Sequence, residues 1–368
     1  VIDHVKKFPI VLNQSSAKAF RNCKRYFAWQ RLGMYIDILK ALNPEVSDDI
    51  LRSLPQLVPP GKRSVLEIGT AVHAGLATFH AGGIDIKHDF PTPPTDPEKQ
   101  DEYDTLCEIA SLSPQEQALH VAIQTLRKSL KKTVHTAFED KSLPEAEEVV
   151  SRVLLAYIKH YSDTDEVWKP LNQEIEFLVA VGPDDSGAYL RGRTDNLSTA
   201  KGGLYIVDYK TAGRNDPRDL LKYELDDQLS SYIYGLTKYL TEQARKRDPN
   251  ADPVFIRGAI IDVLVKTIVP QFLREMFTRS VDELREFEAE FIELCDELRE
   301  RLRRVAAGED WKTVFYKNTD NCFRYGTCPY RDVCLKDTPI RRRLYDKREP
   351  DYVDDAHTKL IEEFTRVA

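Results

Sequence analysis

Two short segments on either side of a glycine turn carry most of the chemistry this sequence could perform. Arg191-Gly192-Arg193-Thr194-Asp195-Asn196-Leu197 precedes Ile206-Val207-Asp208-Tyr209-Lys210-Thr211, with Lys201-Gly202 between them. If both are strands of a hairpin closing on Lys201-Gly202, Asp195 faces Asp208 with Cβ atoms about 4.5–5.5 Å apart. Like charges so placed repel, and a divalent cation held by oxygen ligands would neutralise them. Period-two alternation sets Ile206, Asp208 and Lys210 on one face, and Tyr205, Val207 and Tyr209 on the other. Two carboxylates and a lysine around a hard cation suit phosphodiester hydrolysis. The cation lowers the pKa of a bound water, and the lysine orients that water and offsets developing negative charge.

A solvated strand on which Asp and Lys alternate would match Asp-x-Lys equally well. Three features favour a site. The strand leading to Asp208 is apolar on both faces, as a buried strand is. The turn register brings in a second aspartate. Downstream, Gln228 and Tyr232 fall one helical turn apart on one face. The other chemistry-bearing group is Cys322, Cys328 and Cys334, with five residues between neighbours. Alone, these would be a zinc site lacking one ligand or three unrelated thiols. Cys107 and Cys295 fall in helical segments and read as buried thiols.

Together these pieces resemble the PD-(D/E)xK nuclease superfamily, within it the RecB-like and CRISPR-adaptation exonuclease branch that carries an iron–sulfur cluster. They follow the family's order over residues 13 to 336. First comes a serine-led helix ending in Phe20-Arg21-Asn22-Cys23-Lys24-Arg25-Tyr26, then Gly69-Thr70-Ala71-Val72-His73, then Glu174. Gly192 to Asp195, Asp208 to Thr211, Gln228 to Tyr232 and the cysteines complete the series.

The resemblance implies that His73, Asp195, Asp208 and the Tyr209 carbonyl hold Mg²⁺ or Mn²⁺, and that Lys210 is the catalytic lysine. Gln228 and Tyr232 would touch substrate or fix the lysine. Glu174 matches a frequent glutamate of the first core element, with Glu176 as its competitor. The chain has Thr194 where the name-giving pattern has proline. Cys23 would join Cys322, Cys328 and Cys334 around a 4Fe–4S cluster, with zinc as the alternative. The family more often separates its first two C-terminal cysteines by two residues, so Cys322 departs most from the pattern. A cluster joining residues 23 and 334 would clip the ends of the domain together across a very long loop.

The activity implied is a metal-dependent DNA exonuclease acting on ends or single strands, in repair, recombination or phage DNA processing. A non-catalytic DNA-binding or scaffold subunit is the alternative from another class, and an endonuclease of the same superfamily a third. The scaffold reading meets an intact Asp195, Asp208 and Lys210. Lys18, Arg21, Lys24, Arg25, Arg191 and Arg193 are the candidate phosphate contacts, and aromatics interleave the first four as stacking on unpaired bases requires.

These residues need elements to position them. Ser15-Ser16 reads as a helix start, and residues 64 to 80 as a helix rich in small residues carrying His73. Pro91 to Pro97 is a surface excursion, and residues 101 to 163 are mostly helical. Strands follow at Glu174 to Val181, Tyr189 to Leu197, Leu204 to Thr211 and Phe255 to Val265, with a helix from about Asp226 to Lys246. Ser280-Val281-Asp282-Glu283 is a capping box opening a long helix whose stripe runs from Leu284 to Val305.

The expected fold is therefore α/β, and the resemblance makes it a restriction-endonuclease-like core, a mixed central sheet flanked by helices. A large helical insertion precedes the core, and the cysteine cluster joins the two ends. The expected divisions are an N-terminal segment 1–30, a helical region 31–165, a nuclease core 166–275, a long amphipathic helix 276–310, a cysteine segment 311–340 and a charged tail 341–368.

Composition bounds this picture. The chain has 368 residues, 42% of them apolar and 31% charged, with a formal net charge of −7. That excludes a disordered chain and argues against a simple basic nucleic-acid coat, while leaving room for a local basic groove. No apolar run reaches the length of a membrane span. Val1 to Lys7 does not read as a signal peptide, and six cysteines are too few for a disulfide framework. The expectation is a cytoplasmic protein whose partner is DNA and not a membrane. A second copy of the chain or a repair or recombination protein are further candidate partners.

Overall fold

In the computed structural model the described residues are 7–59, 64–86, 97–133, 142–162, 169–324, 326–348 and 356–362. The Pro91 to Asp96 excursion lies outside them. The strands are β1 (Ile10–Leu12), β2 (Leu57–Val58), β3 (Lys169–Val181), β4 (Ala188–Ala200), β5 (Gly203–Ala212), β6 (Ile256–Val265), β7 (Gln271–Phe277) and β8 (Asp346–Lys347). The helices of eight or more residues with assigned bounds are α1 (Gln14–Asn22), α2 (Lys24–Arg31), α3 (Ser64–His80), α4 (Pro97–Ala110), α5 (Pro114–Thr133), α6 (Ser142–Ser162), α7 (Asp227–Arg247) and α8 (Val281–Ala306).

The sheet grows outward from one hairpin. Lys201 and Gly202 both have positive φ, 46° and 72°, the pair of conformations that closes a two-residue turn with the strands' natural twist. β4 and β5 therefore pair antiparallel from Ala200↔Gly203 to Asn196↔Val207. The crossover through α7 then lays β6 parallel to β5, and β7 returns antiparallel to β6. β3 runs antiparallel along one whole edge of β4, and β1 lies parallel to Ala188–Leu190. The result is an α/β fold with a mixed six-stranded central sheet and helices on both faces.

Alternation assigns the faces. Ile206, Phe177 and Ile261 pack with Leu229, Ile233 and Leu236 of α7 and with Phe291, Leu298 and Leu302 of α8. Val207, Tyr209, Ile260 and Leu264 pack on the other side with Leu76, Leu126 and Val153 of α3, α5 and α6. Burying each large side chain contributes about 1.5–3 kcal/mol. The α8 stripe does what its spacing requires: Phe287, Phe291, Leu294, Leu298, Leu302 and Val305 are buried, and Ser280 and Glu283 form the capping box.

Two expectations need correction. α1 is capped by Asn13, whose side chain accepts from the Ser16 amide while Ser16 closes the capping box; neither serine is the cap. The helix also does not continue through Cys23. That residue is extended (φ −158°, ψ 109°), so it ends α1 and opens α2. β1 and β7 were not foreseen: β1 is only three residues long, and β7 is an edge strand with mostly half-exposed residues.

One consequence of the topology matters for the site. β3 occupies one edge of β4, so β1 and β5 must share the other. β1 covers residues 188–190 and β5 covers 196–200, leaving a notch at residues 191–195.

Candidate active site

Asp195 stands at the end of that notch, where pairing fails on both sides. The β3 register passes from Gln173↔Asn196 to Ile175↔Thr194 and skips Glu174 and Asp195. The β5 register stops at Asn196↔Val207, one pair short of the expected facing of Asp195 and Asp208. The hairpin register is as the turn dictates, but the strands part before the aspartates meet. In place of a ladder bond, the Tyr209 amide donates to Asp195 Oδ2 at 2.9 Å. The same oxygen lies 3.4 Å from Nδ1 of His73, delivered by α3.

Asp208 is buried, with a side-chain exposure of only 3%. Its Oδ2 is 2.6 Å from Lys210 Nζ, yet it has no aligned hydrogen-bond partner among the described residues. Gln228 bridges the pair. Its Oε1 accepts from Lys210 Nζ at 3.5 Å, and its Nε2 donates to Asp208 Oδ1 at 3.5 Å and to the Tyr232 hydroxyl at 3.0 Å. The Asp226 cap of α7 holds the Gln228 amide at 2.8 Å and so fixes where this turn begins.

The charges follow from this placement. Burial pushes the Asp208 carboxyl above its ordinary range, with Lys210 opposing that shift and Asp195 adding to it. Burial pushes Asp195 up too, but the His73 ring, the Tyr209 amide and Lys210 outweigh it and hold the carboxyl low. His73 is half-buried, and that desolvation disfavours its cation, yet Asp195 and Asp208 leave its pKa raised. Lys210 likewise overcomes burial through Asp208 and stays protonated.

Glu174 and Glu176 separate clearly. Glu176 pairs with Arg191 at 2.8 Å on the strand surface. Glu174 has φ +51°, a left-handed conformation unusual within a strand. Its carboxylate sits 3.0 Å from Arg193 Nε, and burial raises its pKa while Asp195 and His73 act on it electrostatically.

Among the described residues, no three His, Cys, Asp or Glu side chains are grouped so as to hold a metal ion. Asp208 is closed on Lys210, and Asp195 on His73 and the Tyr209 amide. The donor types nonetheless suit a hard cation: two carboxylates act on each other electrostatically, and the His73 ring lies beside one of them. The cysteines show the same pattern. Cys23, Cys322 and Cys328 line one cavity of about 400 Å³, and Cys334 is within electrostatic reach of Cys23 and Cys322. The Asn318 amide donates to Cys23 Sγ, and Trp29 Nε1 to Cys334 Sγ, each at 3.3 Å. Cys295 is buried as expected, whereas Cys107 is half-buried.

Most of the basic residues expected to grip phosphate are engaged within the protein. Arg21 pairs with Asp227. Lys24 is buried, 2.8 Å from Glu297 and over the Phe20 ring. Arg25 donates to the carbonyls of Phe315 and Lys312. These three are packing and cap groups, and Lys18 alone of the four is exposed.

Residues 11–335 match the family model of the PD-(D/E)XK nuclease superfamily. The chain belongs to the PD-(D/E)XK nuclease superfamily. Its activity is accordingly that of a nuclease, a hydrolase acting on nucleic acid. No curated protein matches the sequence. Among solved structures, this PD-(D/E)XK chain is similar to a candidate exonuclease of Eubacterium rectale, at 14% identity and a TM-score of 0.36, covering 94% of this chain and 92% of that one. It is also similar to the protein SSO0001, at 11% identity and a TM-score of 0.29, covering 76% of this chain and 98% of that one. No helix among the described residues is long and apolar enough to cross a membrane.

One cluster under this nuclease site was missed from sequence. On the opposite face of β5, Tyr157 of α6 donates to Asp262 Oδ2 at 2.6 Å, and Arg274 donates to the same oxygen and to the Tyr157 hydroxyl. Asp262 is fully buried beside Tyr209 in the β5–β6 register. The available signal was an aspartate inside the apolar run 256–265, which can be buried only with a partner.

Proposed function

We propose that this chain is a metal-dependent DNA exonuclease of the RecB-like kind, hydrolysing phosphodiester bonds at ends or on single strands in repair, recombination or phage DNA processing. The observation that carries the reading is the buried Asp208 carboxylate, paired at 2.6 Å with Lys210 and within electrostatic reach of Asp195 and His73. His73, Asp195, Asp208 and the Tyr209 carbonyl are the groups that would hold Mg²⁺ or Mn²⁺. Such an ion supplies a water of lowered pKa and positive charge toward the phosphoryl oxygens. Lys210, kept protonated by Asp208, orients the attacking water and offsets negative charge growing on the phosphate. Gln228, tied to Tyr232, holds Lys210 in place, and Glu174 closes the site beside Arg193.

The four cysteines Cys23, Cys322, Cys328 and Cys334 are assigned to a 4Fe–4S cluster, with zinc as the alternative. Three sulfurs around one cavity, and one amide and one indole N–H donating to sulfur, support this reading. The extended backbone of Cys23, which interrupts two helices, is accounted for by the need to turn its thiol toward that cavity.

The test is degradation of end-labelled single- and double-stranded DNA with Mg²⁺ or Mn²⁺, comparing the wild type with Asp208→Ala. Loss of labelled ends by the wild type alone supports the reading and gives polarity. If neither degrades any substrate while both bind DNA, the scaffold reading takes its place. Iron, sulfide and zinc analysis of the purified chain and of Cys328→Ser decides the cluster.

A further inference from the structure

The notch beside the carboxylates has a shape and a charge that the cleavage chemistry leaves unused. A cavity of about 250 Å³ opens where one edge of β4 lacks a strand partner. Gly192 and Arg193 lie on one side, Ser15 and Lys18 of α1 on another, and Gln228 and Tyr232 of α7 on a third. Arg193 is paired with Glu174. Lys18 is exposed and has no hydrogen bond or ion pair among the described residues. The cysteine-lined cavity also borders Ser15 and Lys18, so Lys18 stands where the two cavities adjoin.

We infer that this notch takes a backbone phosphate of one unpaired nucleic-acid strand, next to the bond being cut, with Lys18 as its charge partner. The inference rests on the nuclease reading and specifies its substrate. Position argues for it: Gln228 and Tyr232 line the notch and contact each other, and Gln228 also contacts Lys210, so a phosphate in the notch neighbours the carboxylate site. Size argues for one strand. The volume, about 250 Å³, is below the ~300–1,000 Å³ of a site for a drug-sized ligand and matches a single sugar-phosphate unit. Charge argues for an anion: of the groups lining the notch, Arg191 and Arg193 are paired with Glu176 and Glu174 and the Asp226 carboxylate caps α7, which leaves Lys18 as its exposed cation. Holding that phosphate fixes the strand's register at the carboxylates, which is how binding away from the reacting atoms speeds a reaction.

The test is binding, made independent of cleavage by excess EDTA. The probe is a fluorescein-labelled single strand of about 12 nucleotides, within the ~4–16 that single-strand grooves occupy, titrated at salt concentrations from about 50 to 200 mM. The proteins are the wild type, Lys18→Ala, Lys18→Arg and, as a control for generic charge loss, Lys201→Ala on the exposed hairpin turn. Losing one phosphate contact on a single strand should make the slope of log K against log salt shallower by about 0.7. Lys18→Arg should restore the slope, Lys201→Ala should leave it unchanged, and a blunt duplex of the same length should show no dependence on Lys18. Equal slopes for wild type and Lys18→Ala overturn the inference, as does an equal loss in Lys201→Ala or a wild type that does not bind the strand. If the duplex depends on Lys18 as strongly, the single-strand specification is wrong. A Lys18-dependent slope in a protein that never degrades DNA would leave the phosphate site standing and remove the nuclease reading.

Discussion

Phe177 locks α7 onto the sheet, and Gly235→Ala tests whether that contact positions the catalytic groups. The Phe177 ring is buried between two glycines. A Cβ at Gly192 would come within 2.3 Å of it, and a Cβ at Gly235 within 2.2 Å. Both lie under the 3.0 Å that real Cβ contacts respect, and the ring cannot retreat from one without meeting the other. Alanine would favour the helix by about 1 kcal/mol, whereas overpacking a tight core costs about 1–3 kcal/mol. The net is a loss of up to about 2 kcal/mol. At roughly 2–4 °C per kcal/mol for a domain of 150–250 residues, and less for a longer chain, the melting point falls by a few degrees.

The larger effect falls on cleavage. Gly235 lies two helical turns beyond Gln228 on the same helix, so an α7 pushed outward carries Gln228 and Tyr232 away from the sheet. The Gln228 contacts to Asp208 and Lys210 are already 3.5 Å long and have no slack. A displacement of about 1 Å can cost 10²-fold in rate. Thermal melts and single-turnover degradation of labelled DNA should be run on Gly235→Ala, Phe177→Leu and the double variant. Removing the ring should restore both melting point and rate to those of Phe177→Leu alone, a coupling of about 0.5–3 kcal/mol. A Gly235→Ala protein that melts and cuts like the wild type would refute the reasoning. So would a double variant as impaired as the sum of the singles.

Further outcomes follow from the same contacts. Lys210→Met should lower turnover by about 10²–10³-fold, the scale of losing one electrostatic stabiliser, while single-strand binding in EDTA stays within about twofold of wild type; wild-type turnover would remove Lys210 from the chemistry. Tyr157→Phe takes one donor from the buried Asp262 and should cost about 1–3 kcal/mol in urea unfolding; an unchanged midpoint would show that Arg274 alone satisfies that carboxylate. His357 is buried, Nε2 lies 3.0 Å from the Pro9 carbonyl, and burial lowers its pKa to about 4. The unfolded chain takes up a proton near pH 6.5 and the folded chain does not, so stability present above that pH is lost as pH falls toward 4. The full loss is about 3 kcal/mol, and His357→Gln should show a correspondingly flatter stability profile between those limits.

Much of this fold was legible because its elements are locally determined. Lys201-Gly202 set the β4–β5 register, since a two-residue turn leaves no freedom in which residues pair. The α8 stripe and its Ser280–Glu283 box marked a helix whose buried face needed no tertiary information. The Asp208 and Lys210 positions followed from alternation once the strand was recognised, and the ordered motifs pointed to the family. Residues that act through distant partners were not legible in this way. Arg21, Lys24 and Arg25 look like a phosphate grip in sequence, yet their partners Asp227, Glu297 and Lys312 lie about 200 to 300 positions away.

What the sequence determined by itself is therefore the inventory and its local order: two aspartates, a lysine one strand-repeat beyond the second, and a helix carrying Gln228 and Tyr232 together. What only the tertiary structure decided is where the sheet opens. β1 and β5 share one edge of β4 without meeting, so residues 191–195 have no partner on that edge and Asp195 turns its carboxylate to the Tyr209 amide. No local pattern encodes that gap, because it arises from a strand near residue 10 and a hairpin near residue 200 competing for the same edge.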